Sequence, residues 1–148
     1  MKFGCVCGNV INGTVSPCSG LYKIYSPNEY IKYIDWIKDD LNIKPYPRDW
    51  IRAYYCEVCG RYYLEIDNKN IYNRLVPSKF EPGAESYTAL HFMDEFEDSK
   101  NFEKIEEDKT IVPDTRMLYI SYEDKRAYIV NKDGTKETFV IEEPPKKE

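Results

Sequence analysis

The sequence predicts a mixed α+β domain, and three observations predict it: two glycine-ended cysteine knuckles, one apolar stripe at helical spacing, and a series of short alternating runs between turn residues. The runs imply an antiparallel sheet and the stripe a single amphipathic helix over Ser26–Asn42. The knuckles imply a joint between the N-terminal segment and that sheet. A chain of 148 residues, 42% of them hydrophobic, can bury one core, so residues 1–142 read as a single domain. Its knuckle-bearing half is 1–76, and 84–142 holds an acidic segment and a C-terminal meander. Residues 143–148, with Pro144 and Pro145, read as a flexible tail.

Met1 to Val15 alternates short apolar stretches with Gly8, Asn12 and Gly13, the pattern of a strand, a knuckle and a returning strand. Leu21 to Tyr25 reads as a further short strand after Pro17, Cys18 and Gly20. Ser26-Pro27-Asn28-Glu29 is a helix start, with Ser26 as cap, Pro27 suited to the first turn and Glu29 able to close a capping box. Tyr30, Ile34, Ile37 and Leu41 then fall on one face, and Pro45 and Pro47 end the helix because proline cannot continue its hydrogen bonding.

Trp50 to Tyr55 and Arg61 to Ile66 are aromatic and β-branched runs flanking Cys56 and Cys59, which places this pair at the tip of a β-hairpin. A turn at Asp67-Asn68-Lys69-Asn70 leads to a strand from Ile71 to Val76, and Pro77, Pro82 and Gly83 mark a break. From Tyr87 to Asp108 the pattern is mixed and is read as a loop with a helix. Met117 to Tyr122, Arg126 to Val130 and Glu137 to Glu142, separated by turns, form a meander.

Cysteines separated by one or two residues can aim both sulfurs at one ion, and thiolates suit tetrahedral zinc. Cys5-Val6-Cys7-Gly8 and Cys56-Glu57-Val58-Cys59-Gly60 therefore predict one structural zinc held by Cys5, Cys7, Cys56 and Cys59. Gly8 and Gly60 can adopt positive φ, which lets each turn fold back so that backbone N–H groups face the sulfurs. The alternatives are buried free cysteines, a redox pair at Cys56 and Cys59, or an iron–sulfur cluster. A redox pair belongs at a helix N-terminus, whereas Arg61-Tyr62-Tyr63-Leu64 continues as a strand. Cys18 reads as a small buried hydrophobe, and His91, the single histidine, as a surface or packed residue.

The two knuckles resemble those of zinc-ribbon proteins, which makes the expected fold a four-cysteine ribbon joined to an antiparallel sheet. The opening Met1-Lys2-Phe3-Gly4-Cys5-Val6-Cys7-Gly8-Asn9-Val10-Ile11, with Tyr55-Cys56-Glu57-Val58-Cys59-Gly60-Arg61 downstream, is similar to a group of small, poorly characterised bacterial proteins, some of which serve as immunity proteins beside secreted toxins. The resemblance covers the first half and implies Cys5, Cys7, Cys56 and Cys59 as metal residues. It implies no catalytic residue.

A net charge of -5 disfavours general attraction to nucleic acid or anionic membrane. The best patch for a nucleic-acid-binding ribbon is Lys44, Arg48, Arg52 and Arg61 with Trp50, Tyr54 and Tyr62. With one histidine, no Gly-rich phosphate loop and no nucleophile elbow, an enzyme is not expected. Asp94, Glu95, Glu97, Asp98, Glu103, Glu106, Glu107 and Asp108 form an acidic run suited to a basic protein partner. The expected function is a non-enzymatic protein that neutralises a bacterial toxin by direct binding. With neither a signal-peptide pattern nor a membrane-span-length apolar run, the expected compartment is the cytoplasm.

Overall fold

The computed structural model describes residues 2–12, 21–38, 50–66, 71–83, 86–94 and 116–143. In chain order the elements are β1 (Lys2–Gly4), β2 (Val10–Asn12), β3 (Leu21–Tyr25), α1 (Pro27–Lys38), β4 (Ile51–Tyr55), β5 (Tyr62–Ile66), β6 (Ile71–Pro77), β7 (Thr88–Asp94), β8 (Arg116–Ser121), β9 (Arg126–Val130) and β10 (Lys136–Glu142). Strands β3–β6 form one four-stranded antiparallel meander and β7–β10 a second. Each meander's first strand pairs with the other's first, Tyr22 opposite Asp94, and each last with the other's last, Val76 opposite Val140. These two seams close an eight-stranded barrel, while β1 and β2 pair only with each other.

Eight strands enclose an interior just wide enough for side chains to fill. Alternation along each strand supplies that filling: Tyr22 and Ile24, Tyr62 and Leu64, Leu118 and Ile120, Phe139 and Ile141 all point into one core. Small residues sit beside large ones, Ala53 opposite Tyr22 and Ala127 opposite Phe139, which gives the rings room inside the wall. The outer wall has two covers. Helix α1 lies over β3 and β7, burying Tyr25, Tyr33 and Met93. The β1–β2 hairpin buries Cys5 and Ile11 against Tyr54 and Tyr63.

The antiparallel order makes β6 and β7 run in the same direction, so the connection between them must travel back along the barrel. It does so outside, over β9 and β10. Ser78 N–H donates to the Thr138 carbonyl (3.0 Å), Arg126 lies 4.7 Å over the Phe80 ring, and Tyr87 meets Tyr128 edge-on at 5.0 Å. The same order places the start of β3, β5, β8 and β10 and the end of β4, β6, β7 and β9 at one barrel end, the end that carries the β4–β5 knuckle.

The closed barrel, with one short helix among the described residues, overturns the expected mixed α+β fold of a cysteine ribbon joined to an antiparallel sheet. The physical reason lies in the seams, which join strands far apart in the chain and leave no local pattern. The mixed reading of Tyr87 to Asp108 also fails at its start, where Thr88–Asp94 is strand β7. Its alternation is hidden because Leu90 and Phe92 face the core while His91 and Met93 lie under α1, so both faces carry bulky residues. Helix α1 starts as its cap predicts, with Glu29 N–H donating to the Ser26 hydroxyl at 3.3 Å. Residues 39–42 of the expected helix, and 144–148 of the expected tail, lie outside the described residues.

Leu75 is fully buried in the barrel core, so truncating it removes packed apolar atoms and leaves a cavity. Leu75→Ala is expected to cost about 2–5 kcal/mol of folding stability, read from the shift in a denaturant midpoint at unchanged slope.

Candidate metal centre

Each knuckle is built by its own backbone. In the first, Cys5 N–H donates to the Asn9 carbonyl (2.8 Å) and Gly8 N–H to the Cys5 carbonyl (3.0 Å). In the second, Cys56 N–H donates to the Arg61 carbonyl (2.9 Å) and Gly60 N–H to the Cys56 carbonyl (2.8 Å). Both turns close through a glycine at positive φ, +96° at Gly8 and +77° at Gly60. At Gly60 space is also tight, since a Cβ would lie 3.2 Å from Pro77 Cγ, which would have to give by a few tenths of an ångström.

The hairpin β1–β2 docks so that the two knuckles face one another. Cys5 Sγ lies 3.4 Å from Cys59 Sγ and Cys7 Sγ lies 3.6 Å from Cys56 Sγ, and all four sulfurs fall within 4.8 Å of one another. A tetrahedral ion with thiolate bonds of about 2.3 Å requires sulfur–sulfur edges of about 3.8 Å, so the arrangement is that of a site that could hold a metal ion. Cys5 and Cys56 are buried, Cys59 is half-buried and Cys7 is exposed, and none of the four forms a disulfide.

A second layer of donors serves the sulfurs. The Tyr63 hydroxyl donates to Cys5 Sγ (3.0 Å) and accepts from Val6 N–H (3.0 Å), which clamps the first knuckle to the barrel wall. Asn9 Nδ2 donates to Cys56 Sγ (3.4 Å), and Cys59 accepts from the Arg61 backbone and side chain. Burial pushes the Cys56 thiol up, but donation from the Cys59 and Val58 N–H groups and from Asn9 outweighs it and holds the group at about 6. At Cys7 the Asn9 N–H lowers the pKa, yet hydrogen bonding to the other cysteines, Cys5 foremost, and burial outweigh it and push the thiol up to about 11. One sulfur thus ionises easily and another keeps its proton, because four thiolates this close repel unless a cation joins them.

The structure brings together all four cysteines predicted to bind metal. Of the predicted partner surface, Asp94 ends strand β7 opposite Tyr22, and Glu95, Glu97, Asp98, Glu103, Glu106, Glu107 and Asp108 lie outside the described residues, as does Cys18. His91 stacks on Tyr30 at 3.7 Å, and burial lowers its pKa. In the predicted nucleic-acid patch, Tyr54 and Tyr62 are buried, Arg61 serves Cys59, Arg52 is exposed, and Lys44 and Arg48 lie outside the described residues. The sequence reading missed the supporting roles of Asn9, Arg61 and Tyr63. Asn9 and Arg61 directly follow the knuckle glycines, which is a usable signal; Tyr63 is one tyrosine in a strand and carries none.

Tyr63→Phe keeps the ring and removes the donor to Cys5. It is expected to weaken metal affinity about 10–100-fold in competition with a chromophoric chelator, with the fold retained by circular dichroism.

The family model described as a domain of unknown function (DUF8617) matches residues 1–87, a span that holds both knuckles, α1 and strands β1–β6 and stops one residue before β7. Comparison with the curated proteins and with the solved structures found no match.

Proposed function

We propose that this chain, which belongs to the DUF8617 family, is a zinc-stabilised protein-binding protein without catalytic activity. The observation that carries the reading is the convergence of Cys5, Cys7, Cys56 and Cys59. Four thiolates fill a tetrahedral ion and leave it no position for water or substrate, so the ion's work is structural. Zinc fits the donor set because it takes soft ligands without preference for another geometry. Its structural work is to tie the β1–β2 hairpin, two strands of three residues each, to the barrel wall.

Two features support a protein partner. Val6 and Val58, at the tips of the two knuckles, are 57% and 69% exposed and offer apolar contact beside the ion. The acidic run begins at Asp94, and both Asp94 and Arg116, which bracket residues 95–115, lie at the barrel end that carries the second knuckle. A basic bacterial toxin, met in the cytoplasm and neutralised by direct binding, is the partner this charge suits. The nucleic-acid reading loses two of its three stacking rings, since Tyr54 and Tyr62 are 3% and 2% exposed while Trp50 is half-buried.

Elemental analysis of protein purified without chelator is expected to return one zinc per chain, lost in a Cys56→Ser, Cys59→Ser double variant, and a strong chelator is expected to lower the melting temperature. Metal-free protein, or a melting curve unmoved by confirmed metal loss, overturns the structural-zinc reading.

Replacement of Asp94, Glu95, Glu97 and Asp98 by lysine is expected to slow association with the cognate partner and to flatten its dependence on salt, at unchanged zinc content. Equal protection by that variant would place the interface elsewhere.

A further inference from the structure

We propose that the four-cysteine cluster is a redox-convertible clamp: a two-electron oxidant of the peroxide class links Cys7 to Cys56 and Cys5 to Cys59, and the two disulfides take over from the metal in holding the β1–β2 hairpin on the barrel. This regulation rests on the four-thiolate reading above for its reduced, metal-bound state. The pairing follows from the sulfur positions alone.

Which sulfurs face each other decides the product. Among the described residues the sulfur–sulfur hydrogen bonds are Cys5 with Cys59 at 3.4 Å and Cys7 with Cys56 at 3.6 Å. Both join the first knuckle to the second, so both join the hairpin to the barrel. A disulfide inside one knuckle would occupy two sulfurs locally and leave the hairpin untied. Contacts that need no metal keep the knuckles face to face while the ion leaves: Val6 N–H donates to the Tyr63 hydroxyl at 3.0 Å, and Ile11 packs with Tyr54 and Tyr63.

Exposure sets the order of events. Cys7 is the exposed member of the cluster, Cys59 is half-buried, and Cys5 and Cys56 are buried. A thiolate reacts where oxidant can reach it, so Cys7 reacts first. Its sulfur attacks one peroxide oxygen, the O–O bond breaks, Cys7 becomes a sulfenic acid and the other oxygen leaves as hydroxide. The Cys56 thiolate then attacks the Cys7 sulfur, the S–S bond forms, the S–O bond breaks and a second hydroxide leaves. Two thiolates have given up two electrons, and one peroxide has been reduced to two hydroxide ions. A second peroxide repeats the sequence at Cys59 and Cys5. Disulfide sulfurs are no longer anionic ligands, so the ion is released.

The cross-links are long-range in sequence, 49 positions for Cys7 to Cys56 and 54 for Cys5 to Cys59. Closing loops of that length restricts the unfolded chain far more than closing a knuckle on itself. The oxidised chain therefore keeps what the metal gave it, a hairpin of two three-residue strands fixed to the wall, with Val6 and Val58 still side by side at the knuckle tips.

The test uses the full chain carrying Cys18→Ser, which removes the fifth thiol, reduced and incubated with zinc and then treated with hydrogen peroxide. A chromophoric chelator reports zinc release, and peptide mapping without reductant reports the linkages. Cys7 joined to Cys56 is expected first and Cys5 joined to Cys59 after it, both reversed by dithiothreitol. Cys7→Ser should slow zinc release about tenfold. Cys59→Ser, which leaves Cys7 and Cys56 in place, should still give their linkage and so decides the pairing where Cys7→Ser fails to fold. The doubly linked chain should melt above the reduced, chelator-treated chain. Linkage chiefly within a knuckle, sulfinic acid in place of disulfide, or an oxidised chain that melts no higher than the reduced metal-free one overturns the clamp. Mapping of chain that holds no zinc separates the two readings: cross-links between the knuckles there support the clamp, and the missing ion counts only against structural zinc.

Discussion

The pairing of β3 with β7 and of β6 with β10 is the constraint on which the rest of this structure depends. Each four-stranded meander alone would have an unpaired strand at either edge, and a row of unpaired N–H and C=O groups is a liability in water. Closing first strand on first and last on last removes all four edges at once. It also dictates direction: β6 and β7 must run alike, which sends the connecting chain back over β9 and β10 and pins it with the Phe80–Arg126 and Tyr87–Tyr128 contacts. The same closure gathers the β4–β5 knuckle, the end of β7 and the start of β8 at one end of the molecule.

The four-cysteine cluster uses the barrel wall as its template. Strands of three residues cannot hold the β1–β2 hairpin in place by their own hydrogen bonds. What holds it is contact with outward-facing residues of the barrel wall, Tyr54 and Tyr63, together with sulfurs supplied by both partners. Tyr63 serves both purposes, because one face of β5 presents its hydroxyl to Cys5 and to Val6 N–H while the other face of the same strand buries Tyr62 in the barrel. A single strand thus links the four-cysteine cluster outside the barrel to the core inside it.

The family span ends just before the second meander, so it contains the whole four-cysteine cluster but neither β8 nor β10, which carry Arg116 and Glu137. Tyr22, Tyr55 and Tyr62 belong to the first meander and the charged groups to the second. The barrel end that carries the second knuckle is therefore built from both halves and is a property of the closed barrel.

Much of the local structure was legible in the sequence, because local structure is what periodicity and turn chemistry encode. Ser26 and Pro27 announced the helix, the alternation of Leu118 and Ile120 announced β8, and two short-spaced cysteine pairs ending in glycine announced the four sulfurs. Cysteine spacing is informative because thiolates that share an ion must approach within a few ångströms, and a tight turn is the cheapest way to bring two of them there. The seams were not legible. Nothing in Tyr22 to Tyr25 names residues 91–94 as its neighbours, and β7 hid its own nature because α1 covers the face that would otherwise be polar. By itself, then, the sequence determined the strands other than β7, the helix start and the two cysteine pairs, each of which depends on residues within a few positions of one another. The tertiary structure decided that the sheet closes and that Tyr63 serves Cys5, because pairings between distant strands are selected by the packing of the whole core rather than by any local pattern.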